Sequence, residues 1–253
     1  MSRYKAITKL LQANVGARRM AVVFDDFTEI FALTFRNAVD LNGRAEREEQ
    51  YLRTARQYTR EQLARFAEAF GLVTLEMEES PSDVLGRLYM HLELGNSHLG
   101  QFFSPFDIAT LLAGMNADSL TRQVEERGFA EAYEPACGAS AFMVATAMEM
   151  RRLGLNPQTQ LHVTAEDVSA QAVHMAYIHL SLLHVPAVIY RRNTLTMETF
   201  DAWYTPAHIL GGWSRKLRRA KAVEDAQEMV TSVKPTEAIT VPDWEQVFGE
   251  LAS

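Results

Sequence analysis

The sequence is poor in cysteine, carries no surplus of positive charge and contains no long hydrophobic run. Cys137 is the one cysteine among 253 residues, so no disulfide can form within the chain, which favours a reducing compartment. No segment approaches the roughly 20 apolar residues of a membrane helix, and the N-terminus lacks the apolar stretch of a signal peptide. We therefore expect a soluble cytoplasmic protein without a membrane partner.

The net charge limits how the protein could bind nucleic acid. The formal charge is -7 at pH 7, so the molecule as a whole does not attract DNA, and any contact needs a local basic patch. With 47% hydrophobic residues, the chain is long enough for a substantial core. These numbers indicate a globular protein and leave its chemistry to the motifs.

The first part of the chain predicts an α-helical N-terminal region, residues 1–95. Apolar and aromatic residues recur at helical spacing from Glu46 to Phe70, and Gly71 is placed where a helix would end. Ser80 and the following proline predict the N-cap and first position of another helix, which we expect to stop at Gly95.

From about Ala130 the pattern changes to that of an α/β domain, which we place at residues 96–253. Three short apolar runs, FAEAYEPACG, LHVTAEDVS and PAVIYRRNTL, alternate with two helical segments. This order predicts a βαβαβ unit with a parallel sheet. Beyond it, FDAWYTPAHILGGW indicates irregular structure, SRKLRRAKAVEDAQEMV a helix, TEAIT a short strand and PDWEQVFGELAS a helical turn.

Each predicted strand ends in a polar residue, namely Glu134, Asp167 and Asn193. Ligands of parallel sheets bind at the carboxyl ends of the strands, so these residues should line one crevice. An acid after the second strand suits the two hydroxyls of a ribose, because a carboxylate accepts two hydrogen bonds. The turn EPACGAS lacks the G-x-G-x-x-G of diphosphate sites, and Glu134 suits an ammonium group instead. Adenosine and an α-amino acid occur together in S-adenosylmethionine (SAM).

Four segments in order resemble adenine-N6 DNA methyltransferases, and in particular the methylation subunit of type I restriction-modification systems. EPACGASAF is similar to the D/N/E-P-x-x-G-x-G-x-F signature of that family. GQFFSPFDIATLL, AEDVSAQAVHMAYIHLSLLHV and RRNTL resemble segments on either side of it. The resemblance covers roughly residues 80–200 and implies a class I, Rossmann-like fold of SAM-dependent methyltransferases, involved in DNA methylation.

The resemblance also implies roles for individual residues in binding the cofactor SAM. It assigns the methionine end to Phe103, Ser104, Pro105, Glu134, Ala136 and Gly138. It assigns the ribose to Asp167, the adenine ring to Val168, and the adenine edge to Asn193, Thr194 and Leu195. Ser140 replaces the second glycine of the signature, which we expect to cost little stability because serine is small.

The catalytic segment of that family, N-P-P-F/Y, is not found where it is expected. FDAWYTPAHILGG stands there, and Phe200-Asp201 fits only the start of the strand that precedes the segment. The catalytic residues are therefore unknown. Three hypotheses stay open: an active enzyme, an inactive methyltransferase-like protein with a binding or regulatory role, and a subunit that needs a partner or a second copy.

A basic helix offers the best candidate for DNA contact. It carries Arg215, Lys216, Arg218, Arg219 and Lys221. Phosphate contact and a solvated helix start are equally compatible with this pattern. Three histidines, His174, His179 and His184, are spaced by five residues rather than the four of helical metal pairs, so we predict packing or surface positions and no metal site.

Overall fold

The computed structural model describes residues 2–16, 18–92, 94 and 105–232. It divides the chain into two compact units, residues 1–214 and 215–253. The first unit is a mixed α/β structure with a four-stranded, mostly parallel sheet, as the sequence predicts. The domain boundary expected after residue 95 lies outside the described residues.

The N-terminal part of the first unit is helical, as predicted. Its helices are α1 (Arg3–Gln12), α2 (Met20–Val39), α3 (Arg44–Ala55), α4 (Arg60–Glu79) and α5 (Val84–His91). The single helix expected over Glu46–Phe70 is wrong, because Thr59 starts a new helix with a capping box. The Thr59 side chain accepts from the Gln62 amide, and the Gln62 side chain accepts from the Thr59 amide. Gly71 lies inside α4 and does not end it.

The start of α5 also differs from the prediction. Asp83, rather than Ser80, is the N-cap, and its Oδ1 accepts from the Gly86 amide at 2.9 Å. A Cβ at Gly86 would collide with this carboxylate, so the glycine permits the cap. The helix ends at His91, before the predicted stop at Gly95.

The rest of the first unit forms the sheet and the helices around it. The helices are α6 (Phe106–Met115), α7 (Ala117–Arg127), α8 (Ala141–Arg152), α9 (Pro157–Gln160), α10 (Ala170–Leu182) and α11 (Pro206–Leu210). The strands are β1 (Ala130–Glu134), β2 (Leu161–Asp167), β3 (Ala187–Asn193) and β4 (Glu198–Tyr204), and α12 (Trp213–Ser232) follows. The predicted βαβαβ order of β1, α8, β2, α10 and β3 is confirmed.

The sheet has the order β1-β2-β3-β4. The first three strands are parallel, and β4 pairs antiparallel with β3. The prediction of irregular structure in FDAWYTPAHILGGW is therefore wrong. The first half of this segment belongs to β4, which pairs with β3 in a hairpin, and Thr205 caps α11 in the second half. The strand and the terminal turn predicted in residues 236–253 lie outside the described residues.

One hydrophobic core joins the N-terminal helices to the sheet. Phe24 and Phe27 of α2, Phe66 of α4 and Tyr177 of α10 are all at most 1% exposed. Burying side chains of this size contributes about 2–3 kcal/mol each. In the described part of the chain, no helix is both long enough and apolar enough to cross a membrane.

Candidate functional site

The turn after β1 borders a cavity of about 270 Å³ at the carboxyl edge of the sheet. One wall is the turn, which contributes Glu134, Ala136 and Gly138, and another is α6, which contributes Ile108 and Leu112. The walls are small or apolar apart from the carboxyl group of Glu134. Among the described lining residues, Glu134 carries the one carboxyl group, and the Cys137 thiol is the other ionisable group.

Glu134 has an unsatisfied carboxyl group. Its Oε2 is buried and accepts no hydrogen bond from the described residues. Burial raises the pKa of this carboxyl to about 7, because the charged form loses hydration and gains no partner. A ligand cation beside Glu134 would supply that missing partner, so the site favours a positively charged group.

The backbone of the turn explains its small residues. Gly138 has φ +51° and Ser140 has φ +67°, which is the left-handed region. A non-glycine residue pays about 1–2 kcal/mol there. The Ser140 hydroxyl is also buried without a hydrogen-bond partner among the described residues. The expectation that serine costs little here is therefore wrong, because the position requires a backbone conformation that suits glycine.

Asp167 is brought to the same turn. Its Oδ2 accepts from the Gly138 amide at 2.9 Å, and its Oδ1 accepts from the Ser169 amide at 2.9 Å. The Cys137 amide also donates to the Glu166 carbonyl at 2.8 Å. These bonds hold the turn after β1 against the end of β2, and each carboxylate oxygen of Asp167 keeps a further lone pair.

Asn193, Thr194 and Leu195, at the end of β3 and just after it, have different surroundings. Thr194 Oγ1 donates to the Pro135 carbonyl at 2.7 Å, which ties the β3–β4 hairpin to the turn after β1. Asn193 Oδ1 accepts from the amide of Leu195 at 3.1 Å and so stabilises the hairpin. Leu195 and Val168 are 96% and 57% exposed, and neither is among the residues that line the cavity beside Glu134.

Among the other residues assigned to the methionine end of SAM, Pro105 does not line this cavity. Pro105 lines a separate cavity of about 480 Å³ together with Tyr4 and Arg87. Phe103 and Ser104 lie outside the described residues. Ile108 and Leu112 of α6, the helix that begins directly after Pro105, border the cavity beside Glu134 instead.

Sequence reasoning missed Glu166, which neighbours Asp167 in the run AED. Its side chain is buried, and Oε1 accepts from Arg192 Nη1 at 2.8 Å. Oε2 has no partner among the described residues. The adjacent pair of acids was a signal in the sequence, but strand alternation decides that the two carboxylates point to opposite faces of the sheet.

Two aromatic residues that could replace the missing catalytic segment are held elsewhere. Trp203 is 4% exposed and packs against His174 and Tyr177. Tyr204 ends β4, and because β4 runs antiparallel to β3 it lies at the amino edge of the sheet, opposite Glu134. Neither residue can therefore stack on a base at the cavity beside Glu134.

The other candidate chemistry is limited. Cys137 is buried as predicted, and burial raises the pKa of its thiol, so it is not a reactive thiolate. No group of three metal-ligating side chains occurs within the described ranges. In the second unit, the basic helix α12 exposes Arg215, Arg218 and Arg219, while Lys221 lies 3.5 Å from Asp225 and Lys216 is half-buried.

Comparisons of the chain with protein-family models, curated proteins and solved structures found no match.

Proposed function

We propose that this chain binds SAM at the carboxyl edge of its parallel sheet, as a Rossmann-like protein of the adenine-N6 DNA methyltransferase type. The observation that carries the proposal is the partly buried carboxyl of Glu134. Its Oε2 has no hydrogen-bond partner among the described residues, and it is the one carboxyl group in the described lining of the cavity. The α-ammonium of an amino acid is a cation of suitable size for that position.

The residues around Glu134 fit the two ends of this cofactor. Ala136 and Gly138 leave room for a methionine chain along the turn. Asp167 lies one hydrogen bond from Gly138 and keeps lone pairs for a ribose diol. The exposed side chain of Val168 offers an apolar surface for adenine. Asn193 ends the neighbouring strand β3, and Thr194 follows it.

The chemistry of a bound SAM is methyl transfer, since its sulfonium is a good leaving group. The chain would contribute binding and orientation. Glu134 would hold the ammonium, and the apolar wall of Ile108 and Leu112 would limit the access of water. The assignment of DNA adenine as the acceptor rests on the resemblance of the four sequence segments.

A second function, binding of SAM without independent catalysis, is favoured by the direction of β4. The segment that should lead to the catalytic residues ends at the wrong edge of the sheet, and Trp203 is buried in the core. In this alternative the chain acts as a regulatory or binding factor, or as a subunit whose partner supplies the base pocket.

Calorimetric titration of the full chain with SAM tests the cofactor site. We expect saturable binding that Glu134→Gln weakens about tenfold, the loss of one charge-assisted hydrogen bond. Glu131→Gln is the matched control, because Glu131 lies on the same strand, points to the opposite face and pairs with Arg127 at the surface. Absence of binding to the wild type would refute the proposal.

Transfer of a labelled methyl group from SAM to unmethylated DNA separates the two functions. Transfer by the isolated chain would refute the non-catalytic alternative, and transfer only after a partner is added would support the subunit hypothesis. If the basic residues of α12 contact phosphates, their replacement by glutamine should weaken DNA binding and flatten its salt dependence.

A further inference from the structure

A second cavity of the first unit has a volume of about 390 Å³. Residues of α2, α3, α10, β3 and β4 line it. It shares no lining residue with the cavity beside Glu134. Its lining includes three guanidinium groups, those of Arg36, Arg47 and Arg191, against the two carboxylates of Glu29 and Asp201. The balance of charge around it is positive.

His174 lines this cavity with an unused imidazole. The side chain is 8% exposed, and no described residue forms a hydrogen bond with either ring nitrogen. Its ring is held edge-on to Trp203 at 5.0 Å, and the guanidinium of Arg36 lies 4.4 Å from the Trp203 ring. Burial lowers the pKa of His174 to about 4, so the imidazole is neutral at pH 7 and offers one N–H donor.

The carboxylates of the cavity are already engaged. Glu29 accepts from Gln50 at 2.5 Å through Oε1 and from Thr54 at 2.7 Å through Oε2. Asp201 accepts from Nη1 and Nη2 of Arg36, at 2.9 and 3.3 Å. Asp201 is therefore paired with a cation, whereas Glu29 bonds only to neutral donors among the described residues. The three guanidinium groups still outnumber the two carboxylates around the cavity.

Arg191 is the one arginine of the lining whose two terminal nitrogens, Nη1 and Nη2, donate no hydrogen bond to a described residue. Its Nε donates to the Val168 carbonyl at 3.4 Å, while Nη1 and Nη2 form no hydrogen bond in the described part of the chain. By contrast, Arg36 binds Asp201, and Arg47 donates to Asn37, Asn42 and Asp40. A free guanidinium fork matches two oxygens of an oxyanion.

We propose that this cavity binds a phosphate group, with the fork of Arg191 on two of its oxygens and the N–H of His174 on a third. The tetrahedral oxygens suit donors that approach from different elements, here β3 and α10. The cavity is larger than a phosphate ion, and the half-exposed ring of Phe200 continues its wall. The phosphate therefore belongs to a larger ligand, either a free phosphomonoester or the DNA backbone.

Titration of the full chain with inorganic phosphate, at constant ionic strength, tests the site. The expected result is saturable binding with a shift of the His174 imidazole resonances in NMR spectra. Arg191→Gln should weaken this binding at least about tenfold. Arg191 is exposed, so this variant should fold, and Arg151→Gln, at an exposed arginine on α8, is the control and should bind as the wild type does.

Two further titrations distinguish the sources of the phosphate. A shift of the His174 resonances with a nucleoside monophosphate, but not with a short DNA duplex, would identify a free phosphorylated ligand. A shift with the duplex that phosphate competes away would identify the DNA backbone. No saturable shift with any of these probes, or an affinity unchanged in Arg191→Gln, would overturn the proposal. The site does not rest on SAM binding, which is measured separately.

Discussion

His179 Nδ1 donates to the Ala139 carbonyl at 2.8 Å, in the turn that borders the cavity beside Glu134. The other ring nitrogen accepts from the Leu85 amide of α5 at 3.1 Å. One fully buried histidine of α10 thereby links the N-terminal helices to the candidate cofactor turn. Because both bonds require a neutral imidazole with the proton on Nδ1, the protonation state of His179 is coupled to the position of this turn.

Replacement of His179 should destabilise the protein. We expect His179→Ala to lower the free energy of unfolding by about 3 kcal/mol, from the cavity and the two unpaired backbone groups. His91→Ala, at an exposed position, should change it by less than about 0.5 kcal/mol. Chemical denaturation of both variants measures the difference.

The effect of His179 should also depend on pH. Burial lowers the pKa of His179 in the folded state, so the unfolded chain binds the proton more readily. The stabilisation is present above the unfolded pKa of about 6.5 and is lost as the pH falls towards the folded pKa. The gap between wild type and His179→Ala should therefore narrow below about pH 6, and a constant gap would contradict the neutral imidazole.

Glu134→Gln should stabilise the protein while it weakens SAM binding. The folded pKa of about 7 exceeds the ordinary 4.5, so the favourable contribution of the protonated form is complete below 4.5 and lost as the pH rises to 7. Because the carboxyl is only partly buried, we expect a gain of about 1–2 kcal/mol at pH 8 and almost none at pH 4. Thermal unfolding across this range, with Glu131→Gln as the control, measures it.

Ser140→Gly should increase stability. Glycine adopts φ +67° without the steric penalty of a Cβ, and the change removes a buried hydroxyl without a partner among the described residues. The expected gain is about 0.5–1 kcal/mol, after the greater entropy of the unfolded glycine is subtracted. Ser140→Val should instead be strongly destabilising, since a branched side chain tolerates this conformation least. Urea denaturation of the pair is the measurement.

Arg36 should be the polar residue on which the docking of α2 against β4 depends most. It binds Asp201 through two nitrogens, donates to the Ala202 carbonyl at 3.0 Å and lies over Trp203. We expect Arg36→Ala to cost about 3 kcal/mol and Arg36→Lys, which lacks the fork, about 1–2 kcal/mol.

A more exposed ion pair provides the comparison for Arg36. Arg3 bonds to Glu76 and Glu79 near the surface, and Arg3→Ala should destabilise the protein much less than Arg36→Ala does, because solvent screens exposed ion pairs. Equal losses in the two alanine variants, measured by denaturant titration, would show that the buried contacts of Arg36 add nothing.

The local patterns of the sequence were sufficient for the order of strands and helices from β1 to β3. Apolar runs, helical periodicity and a polar residue at each strand end can all be recognised from a few consecutive residues. The predictions at Gly71 and Ser80 were wrong. Gly71 lies inside α4 instead of ending a helix, and Asp83 instead of Ser80 caps α5. Both outcomes depend on contacts with other parts of the chain, which hydrophobic periodicity does not report.

The candidate site was predicted in its residue types more than in its geometry. The run EPACGASAF identified an acid beside small residues, and those residues do border a cavity. The placement of Pro105 on a separate cavity, and of Ile108 and Leu112 on this one, follows from how α6 packs on α8. The packing of two helices depends on residues that are far apart in the sequence, so a motif within one segment cannot predict it.

The sequence by itself was therefore sufficient to predict an acidic residue at the end of β1 and another at the end of β2, because both are local features of the chain. The tertiary structure determined what these acids contact: Asp167 accepts from the Gly138 amide, and Oε2 of Glu134 has no hydrogen-bond partner in the described part of the chain. The tertiary structure also set the direction of the segment that contains Phe200. This segment pairs antiparallel with β3 as β4, so Tyr204 lies at the edge of the sheet opposite Glu134. The physical reason is that hydrogen-bond pairing between strands, and not residue identity along one strand, sets the direction in which a strand runs.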